Sequence, residues 1–246
     1  MAIRNLSSER LFVSVDLSAG SLVLLGEPQA HYLVNVLRMA AASKVLVFNG
    51  RDGEWQGELC DIKKRSAAVR LVTQTRPQID SPDLDYLFAP LKRSRLDYMV
   101  QKAVEMGVAR LRPVITQRTI AERVNLDRMR ANAIEAAEQC GVLRVPEVLE
   151  PVALEKALAD WDGTRRLIFC DEDAEHKSPL NVMTKIQPGP LAVLIGPEGG
   201  FDPRERGALM ARPFVHAVSL GPRIMRADTA AVAALALVNA TLGDWR

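Results

Sequence analysis

Two glycine-bearing stretches hold the residues best placed to do chemistry in this 246-residue chain. The first is LIGPEGGFDPRE, Leu194 to Glu205, and the second is SLGPRIMRADTA, Ser219 to Ala230. The first follows an apolar run, PLAVL, and leads into a helix whose start is written locally. Asp202 is the N-cap, Pro203 takes the first helical position, and Glu205 completes a capping box. Gly196, Gly199 and Gly200 are more glycine than a plain strand-to-helix turn needs. No Gly-Lys-Ser/Thr follows, so this is not a P-loop, and the spacing is not that of a dinucleotide fingerprint. The pattern suits bare backbone in close approach to some other ligand, with a tight turn and no ligand as the plain alternative.

The second stretch ends the strand FVHAVSL at Gly221-Pro222 and enters an alanine-rich helix capped by Asp228 or Thr229. Arg223 and Arg226 bracket Ile224-Met225, which puts charge beside an apolar wall. In open α/β sheets ligands bind beyond the carboxyl ends of strands. Two such loops suit a nucleoside-sized ligand.

The elements that must position these loops change character along the chain. Residues 1–73 read as short strands (RLFVSV, SLVLL, KVLVFNG, GEWQGEL, SAAVRLV) with tight turns at Asn49-Gly50 and Asp52-Gly53, which predicts a small barrel. One helix is expected from Pro28 to Met39. Residues 74–85, with two prolines and little apolar periodicity, read as a linker. From residue 86 to 246 strands alternate with helices: YLFAPL, a helix begun at Ser94 with Asp97 as its box partner, LRPVI, a helix from Asn125 to Cys140, RRLIFC, PLAVLIG and FVHAVSLG. That alternation predicts an α/β domain with a mostly parallel sheet.

Bulk properties set limits. A composition of 48% hydrophobic and 25% charged residues is that of an ordinary globular protein, and no apolar run approaches a membrane span. The start, MAIRNLSSER, lacks the apolar core of a secretion signal, so a cytoplasmic protein is expected. Cys60, Cys140, Cys170, His31, His176 and His216 are scattered without metal-ligand spacing, so no metal is expected. The net charge of +2 is too mild to establish a nucleic-acid partner. Locally, however, seven basic residues lie between Leu91 and Arg118, and five arginines between Pro203 and Arg226. Such clusters suit phosphate as readily as they suit a solvated helix face.

Taken together, LIGPEGGF and SLGPRIMRADTAAVAAL resemble the C-terminal signature of the SPOUT superfamily of RNA methyltransferases. More narrowly, the chain resembles the family of 16S rRNA (uracil-N3) methyltransferases, which modify uridine 1498 of small-subunit rRNA. RLFV, HYLVNVLRM, DYMVQKAVEMGVARLRPVITQRT and AAEQCGVLRVPEV fall in the family's order, so the resemblance spans nearly the whole chain. It implies a PUA-like β-barrel that binds RNA, followed by an α/β SPOUT domain with a trefoil knot and a mostly parallel sheet. It also implies a homodimer, 16S rRNA of the small ribosomal subunit as partner, and S-adenosyl-L-methionine as cofactor.

Residue by residue, Gly196, Pro197, Glu198, Gly199, Gly200 and Phe201 match the first cofactor loop. Ser219, Leu220, Gly221, Ile224, Met225, Arg226, Thr229 and Ala230 match the second. Phe169 to Glu172 offer a third wall. The chain departs from the family pattern at Asp228, where glutamate is common, at Pro90-Leu91-Lys92-Arg93-Ser94, where Pro-Lys-Gly-Asp is common, and at Cys140, where serine is common. Methylation of uracil N3 requires loss of a proton and stabilisation of charge on the ring oxygens. Arg226 suits the second task. Asp228 and Glu138 are both candidates for the first, with a helix-cap role for Asp228 and an Arg144 pair for Glu138 as the plain alternatives. Arg10, His31, Arg38, Lys92, Arg93, Arg118 and Arg144 are the expected RNA contacts. A SPOUT enzyme acting on a ribose 2′-hydroxyl, or a non-catalytic RNA-binding protein, are the rival readings.

Overall fold

In a computed structural model, residues 9–79, 82–120, 123–174 and 178–245 are described, apart from the side chain of Arg93. The chain divides into two compact units.

The first unit runs to residue 79 and adds Ala137–Val145. Its five strands are β1 (Arg10–Phe12), β2 (Leu22–Leu24), β3 (Lys44–Phe48), β4 (Glu54–Cys60) and β5 (Ala68–Arg76), ordered β1-β3-β4-β5-β2. All pairs are antiparallel except β1 with β3. Two register shifts in β4 bend the sheet around a core that includes Leu33, Val45, Val47, Leu59, Val69 and Leu71.

The helix expected from Pro28 to Met39 is shorter. It is α1 (Glu27–His31) followed by a π-turn at Tyr32–Val36. The wider turn keeps Leu33, Val34 and Leu37 on the core. Strand β5 continues to Arg76, so ladder bonds reach three residues into the stretch that composition suggested was a linker.

The second unit comprises Ser81–Ala136 and the residues from Pro146 onward. Its elements are β6 (Leu84–Phe88), α2 (Arg93–Glu105), β7 (Arg110–Ile115), α3 (Leu126–Cys140, of which the last turn belongs with the first unit), β8 (Glu147–Val148) and β9 (Val152–Ala153). They continue with α4 (Leu154–Ala159), β10 (Arg166–Cys170), α5 (Pro179–Met183), β11 (Leu191–Ile195), α6 (Pro203–Met210), β12 (Val215–Val218) and α7 (Ala227–Thr241). The sheet order is β12-β10-β11-β6-β7-β8, with β9 also on β7, and every pair is parallel. Strands buried on both faces explain why LAVLI and LDYLF carry no alternating pattern.

Two helix starts differ from the local reading. The N-cap of α2 is Lys92, without a side-chain cap, and not Ser94. Asp97 is drawn away from the helix end to Arg128 (Oδ2 to Nη2 2.6 Å) and Asn132 (2.7 Å) on α3, and the Arg128 bond lowers its carboxyl pKa. A bidentate arginine pair outcompetes one backbone N–H. In α7 the N-cap is Arg226, also without a side-chain cap. Asp228 lies inside the first turn, where its charge favours the helix dipole.

Candidate functional site

The strand order sets β12, β10 and β11 side by side, and all three end in the same direction. The loops leaving those ends enclose a cavity of about 450 Å³. That is the size range of small-ligand sites. The whole cavity lies within the second unit.

Its first wall is the loop after β11, with Gly196, Pro197, Glu198, Gly200 and Phe201. The capping box reads as the sequence requires: Asp202 accepts from Arg204 N–H at 2.9 Å, and Glu205 accepts from Asp202 N–H at 3.1 Å. Glu205 also accepts the N–H of Gln117 at 2.8 Å, from the loop after β7. Arg118 donates to the carbonyl of Gly199 at 2.8 Å. The glycine loop is thereby held from two sides.

The three glycines have different tasks. A Cβ on Gly196 would stand 2.5 Å from the Phe201 ring. That ring packs edge-on against Phe169 of β10, centroids 5.1 Å apart, and has little room to retreat. Gly200 has φ +68° and a Cβ there would meet Glu172 at 2.4 Å. Gly199 does not line the cavity, and a Cβ there would make only ordinary contact with Arg118. Of the three glycines expected in close approach, Gly196 and Gly200 are the ones at which a side chain would collide, and Gly199 is not.

The second wall is the loop after β12, with Ser219, Leu220, Gly221, Ile224, Met225 and Arg226, and with Ala230 behind it on α7. Gly221 adopts φ +109°, a region hostile to side chains, and its N–H bonds to the Ser219 hydroxyl at 3.3 Å. Arg223 and Arg226 are exposed and carry no side-chain partner among the described residues. Thr229 and Asp228 lie outside the lining.

The third wall, after β10, contains Cys170, Asp171, Glu172 and Asp173. Phe169 stays in the core, against Phe201. Asp171 is buried and bonded to Arg206 of α6 (Oδ2 to Nη2 2.9 Å), which raises the guanidinium's pKa. Burial pushes the Cys170 thiol up to about 12, so it is neutral and unreactive at physiological pH. Asp171 falls within the expected third wall, but its pairing with Arg206 had no signal in the sequence, because it joins a strand end to a helix 35 residues on.

The other site candidates scatter. Arg10 is corrected outright. Its guanidinium bonds Glu54 (2.7 Å) and the carbonyls of Ala137, Glu138 and Val142, and it stacks on Phe48 (4.4 Å). With its side chain only 10% exposed, it is a structural clamp and is closed to phosphate. Glu138 lies with it in the first unit, where Oε1 accepts the N–H of Phe12 at 2.8 Å, and it does not line the cavity. His31, Arg38 and Lys92 are exposed, Arg118 is exposed but tied to Gly199, and Arg144 is half-buried. The side chain of Arg93 lies outside the described residues, as does His176. Among the described residues no cluster of His, Cys, Asp or Glu could hold a metal ion, and no helix is long and apolar enough to cross a membrane.

The profile of a family described as an RNA methyltransferase domain matches residues 79–239, and that of an RNA methyltransferase PUA domain matches residues 25–72. The chain is 30% identical to the ribosomal RNA small subunit methyltransferase E of Rickettsia conorii, over 94% of each chain. It is 25% identical to the Bacillus subtilis protein of the same name, over 86% of this chain and 87% of that one. Among solved structures it is similar to the ribosomal RNA small subunit methyltransferase E of Neisseria gonorrhoeae bound to S-adenosyl methionine. The TM-score is 0.83 at 28% identity, covering 97% of this chain and 100% of that one.

Proposed function

We propose, since the chain belongs to the RNA methyltransferase family that includes the small-subunit rRNA methyltransferase E proteins, that it methylates N3 of a uracil in 16S rRNA with S-adenosyl-L-methionine as donor. The observation that carries this reading is the cavity at three adjacent strand ends. Its residues fit the donor. Glycine at 196, 200 and 221 leaves backbone bare where a Cβ would strike Phe201 or Glu172, or would strain φ. The bound donor supplies a methyl group activated on a sulfonium.

The chain's own residues orient and polarise. Phe201, held by Phe169, and Met225 give apolar wall, while Gly196 and Gly200 bring backbone close. As uracil N3 loses its proton, negative charge spreads to the ring oxygens. The guanidinium of Arg226, at the start of α7 and without a side-chain partner among the described residues, is assigned to stabilise it. We assign the proton to Asp228, half-buried and two residues from the cavity-lining Arg226, with Oδ1 accepting the Thr229 N–H at 2.8 Å, in preference to Glu138, which belongs to the first unit and accepts the N–H of Phe12 there. The strand-rich first unit is assigned to RNA binding through His31, Arg38 and Arg144, with Lys92 and Arg118 of the second unit retained as further contacts. The protein is further inferred to be cytoplasmic and to act as a homodimer. In α7, Val232, Ala233, Ala236 and Leu237 remain half-exposed in the single chain, a surface suited to a second copy.

Arg226→Ala tests the catalytic assignment. Turnover on small subunits should fall at least about a hundredfold, the scale of a lost charge-stabilising donor, while S-adenosylmethionine affinity by calorimetry changes less than about threefold. Equal losses in both would make Arg226 a donor-binding residue only. Nucleoside mass spectrometry of the product separates 3-methyluridine from a 2′-O-methylated nucleoside.

A further inference from the structure

One outward face of the first unit combines an exposed aromatic ring, an irregular helix and a cation in a conformation ill suited to it. The π-turn closes with Leu37 N–H on Tyr32 O at 3.0 Å, and Met39 N–H reaches Leu33 O at 3.0 Å. Such widened turns concentrate at functional sites. The segment then ends in Arg38 at φ +56°, a helix-terminating position that glycine would take without strain. Inward, Leu33, Val34, Leu37 and Met39 pack on the core. Outward, His31, Tyr32, Asn35, Val36 and Arg38 are all exposed. Asn35 Nδ2 lies 3.1 Å from His31 Nδ1. The carboxylates of Glu9 and Glu138 lie near the Tyr32 phenol, whose pKa is raised by burial first and then by these two charges.

We propose that Tyr32 is a stacking platform for an unpaired RNA base, with Arg38 on the adjoining phosphate and the His31–Asn35 pair at the base edge. This rests on the reading of the chain as an RNA methyltransferase. Three observations choose a nucleic-acid occupant. The face lies in the segment matched by the RNA methyltransferase PUA profile, residues 25–72. Glu9 and Glu138 beside the phenol repel a phosphate there, so the ring takes a neutral base and the phosphate falls to Arg38. Val36, 57% exposed and four residues on from the 38% exposed Tyr32, adds a second large apolar side chain to the outward side of this segment, which is more than a solvated helix face requires. A base offers a π-face to such a ledge whatever its identity, which makes the contact tolerant of sequence.

The test titrates the full-length protein with a fluorescent single-stranded uridine-containing RNA. Tyr32→Ala should weaken binding about tenfold, and Tyr32→Phe should restore it to within about twofold, because the ring is kept. Arg38→Gly should weaken RNA binding and flatten its salt dependence by about one counterion. The same change should leave the melting temperature equal or higher, since it relieves a left-handed backbone. A structural role predicts the reverse: RNA affinity unchanged in Arg38→Gly, and Tyr32→Phe no better than Tyr32→Ala. Either result overturns the platform. Loss of affinity for a folded protein partner in place of RNA would overturn it too. Wild-type protein that binds donor but neither binds nor methylates RNA would overturn the underlying reading. Wild-type methylation left intact by Tyr32→Ala would overturn the platform alone.

Discussion

At the carboxyl ends of β10, β11 and β12 the second unit builds with glycine, short loops, the Asp171–Arg206 pair, and two arginines, Arg223 and Arg226, that have no side-chain partner among the described residues. At the amino ends of β6 and β7 and just before β10, the same sheet gathers Asp83, Asp85, Arg110, Arg112 and Arg165. There Asp85 is fully buried and meets Arg110 and Arg112 (Oδ2 to Nη1 2.8 Å). Asp83 pairs with Arg110 and with Arg165 (2.9 Å), and Arg165 also donates to the carbonyl of Leu191 at 2.9 Å. One end spends its charges on holding strands in place. The other closes around space, with Arg223 and Arg226 free of side-chain partners among the described residues. Arg110 and Arg112 belonged to the basic cluster that suited phosphate by count alone. Their partners are aspartates brought across from a neighbouring strand, so for these residues the count was misleading.

The sharpest way to break the comparison is Asp85→Ala. It takes the carboxylate from Arg112 and leaves Arg110 with Asp83 alone, and should destabilise the second unit by about 3 kcal/mol, the scale of breaking a buried ion pair. Thermal or urea unfolding reads this directly. Donor affinity of the protein that remains folded should stay within about threefold of wild type. A proportional loss of affinity would mean that the two ends are not separable. Acid should act on the same end. Burial pushes the Asp83 carboxyl up, but Arg165 and Arg110 outweigh that and hold its pKa below the ordinary value. A carboxyl lowered in the folded state contributes stability above its unfolded pKa and loses that contribution as pH falls through the folded value. Melting temperature should therefore drop as pH is taken below about 4, and Asp83→Asn should flatten that drop.

Next in size is Gly196→Ala at the glycine end. The new methyl would stand 2.5 Å from a ring already braced by Phe169, so either the ring or the loop must move. Overpacking of this kind costs about 1–3 kcal/mol, and donor affinity by calorimetry should fall about tenfold to a hundredfold. Gly199→Ala, in the same loop but with only ordinary contact to Arg118, should bind donor almost as wild type does. Equal losses in the two variants would show that the loop is sensitive as a whole and not at its close approach.

The contrast also explains what the sequence could disclose. The cap at Asp202-Pro203-Glu205 is a contact among neighbours, so it was legible and correct. So were the parallel strands, because apolar runs between helices leave few alternatives. The caps at Ser94 and Asp228 obeyed the same local rule and failed. Asp97 finds Arg128 across 31 residues, and α7 starts at Arg226. The π-turn at Tyr32 was invisible because its spacing mimics an ordinary helix. Arg10 looked like an RNA contact because the carbonyls of Ala137, Glu138 and Val142 lie far along the chain. The trefoil knot implied by the resemblance is a property of the whole path, and no local period encodes it.

The smallest predicted effect falls on Glu205, a carboxylate that braces the glycine end as the aspartates brace the other. Glu205 holds two N–H groups, that of Asp202 within its own helix start and that of Gln117 in a different loop. Glu205→Ala frees both, but water can reach the exposed Gln117, so the cost should be about 1 kcal/mol. In a unit of this size that lowers the melting temperature by about 2–4 °C. Donor affinity should fall a few-fold, because the cap fixes where the glycine wall stands. Glu205→Gln keeps one acceptor oxygen and should lie between. If Glu205→Ala loses stability but keeps full donor affinity, the cap folds the helix without positioning the wall. The carboxyl end of the sheet would then be shaped by glycine backbone and the Phe169–Phe201 contact alone.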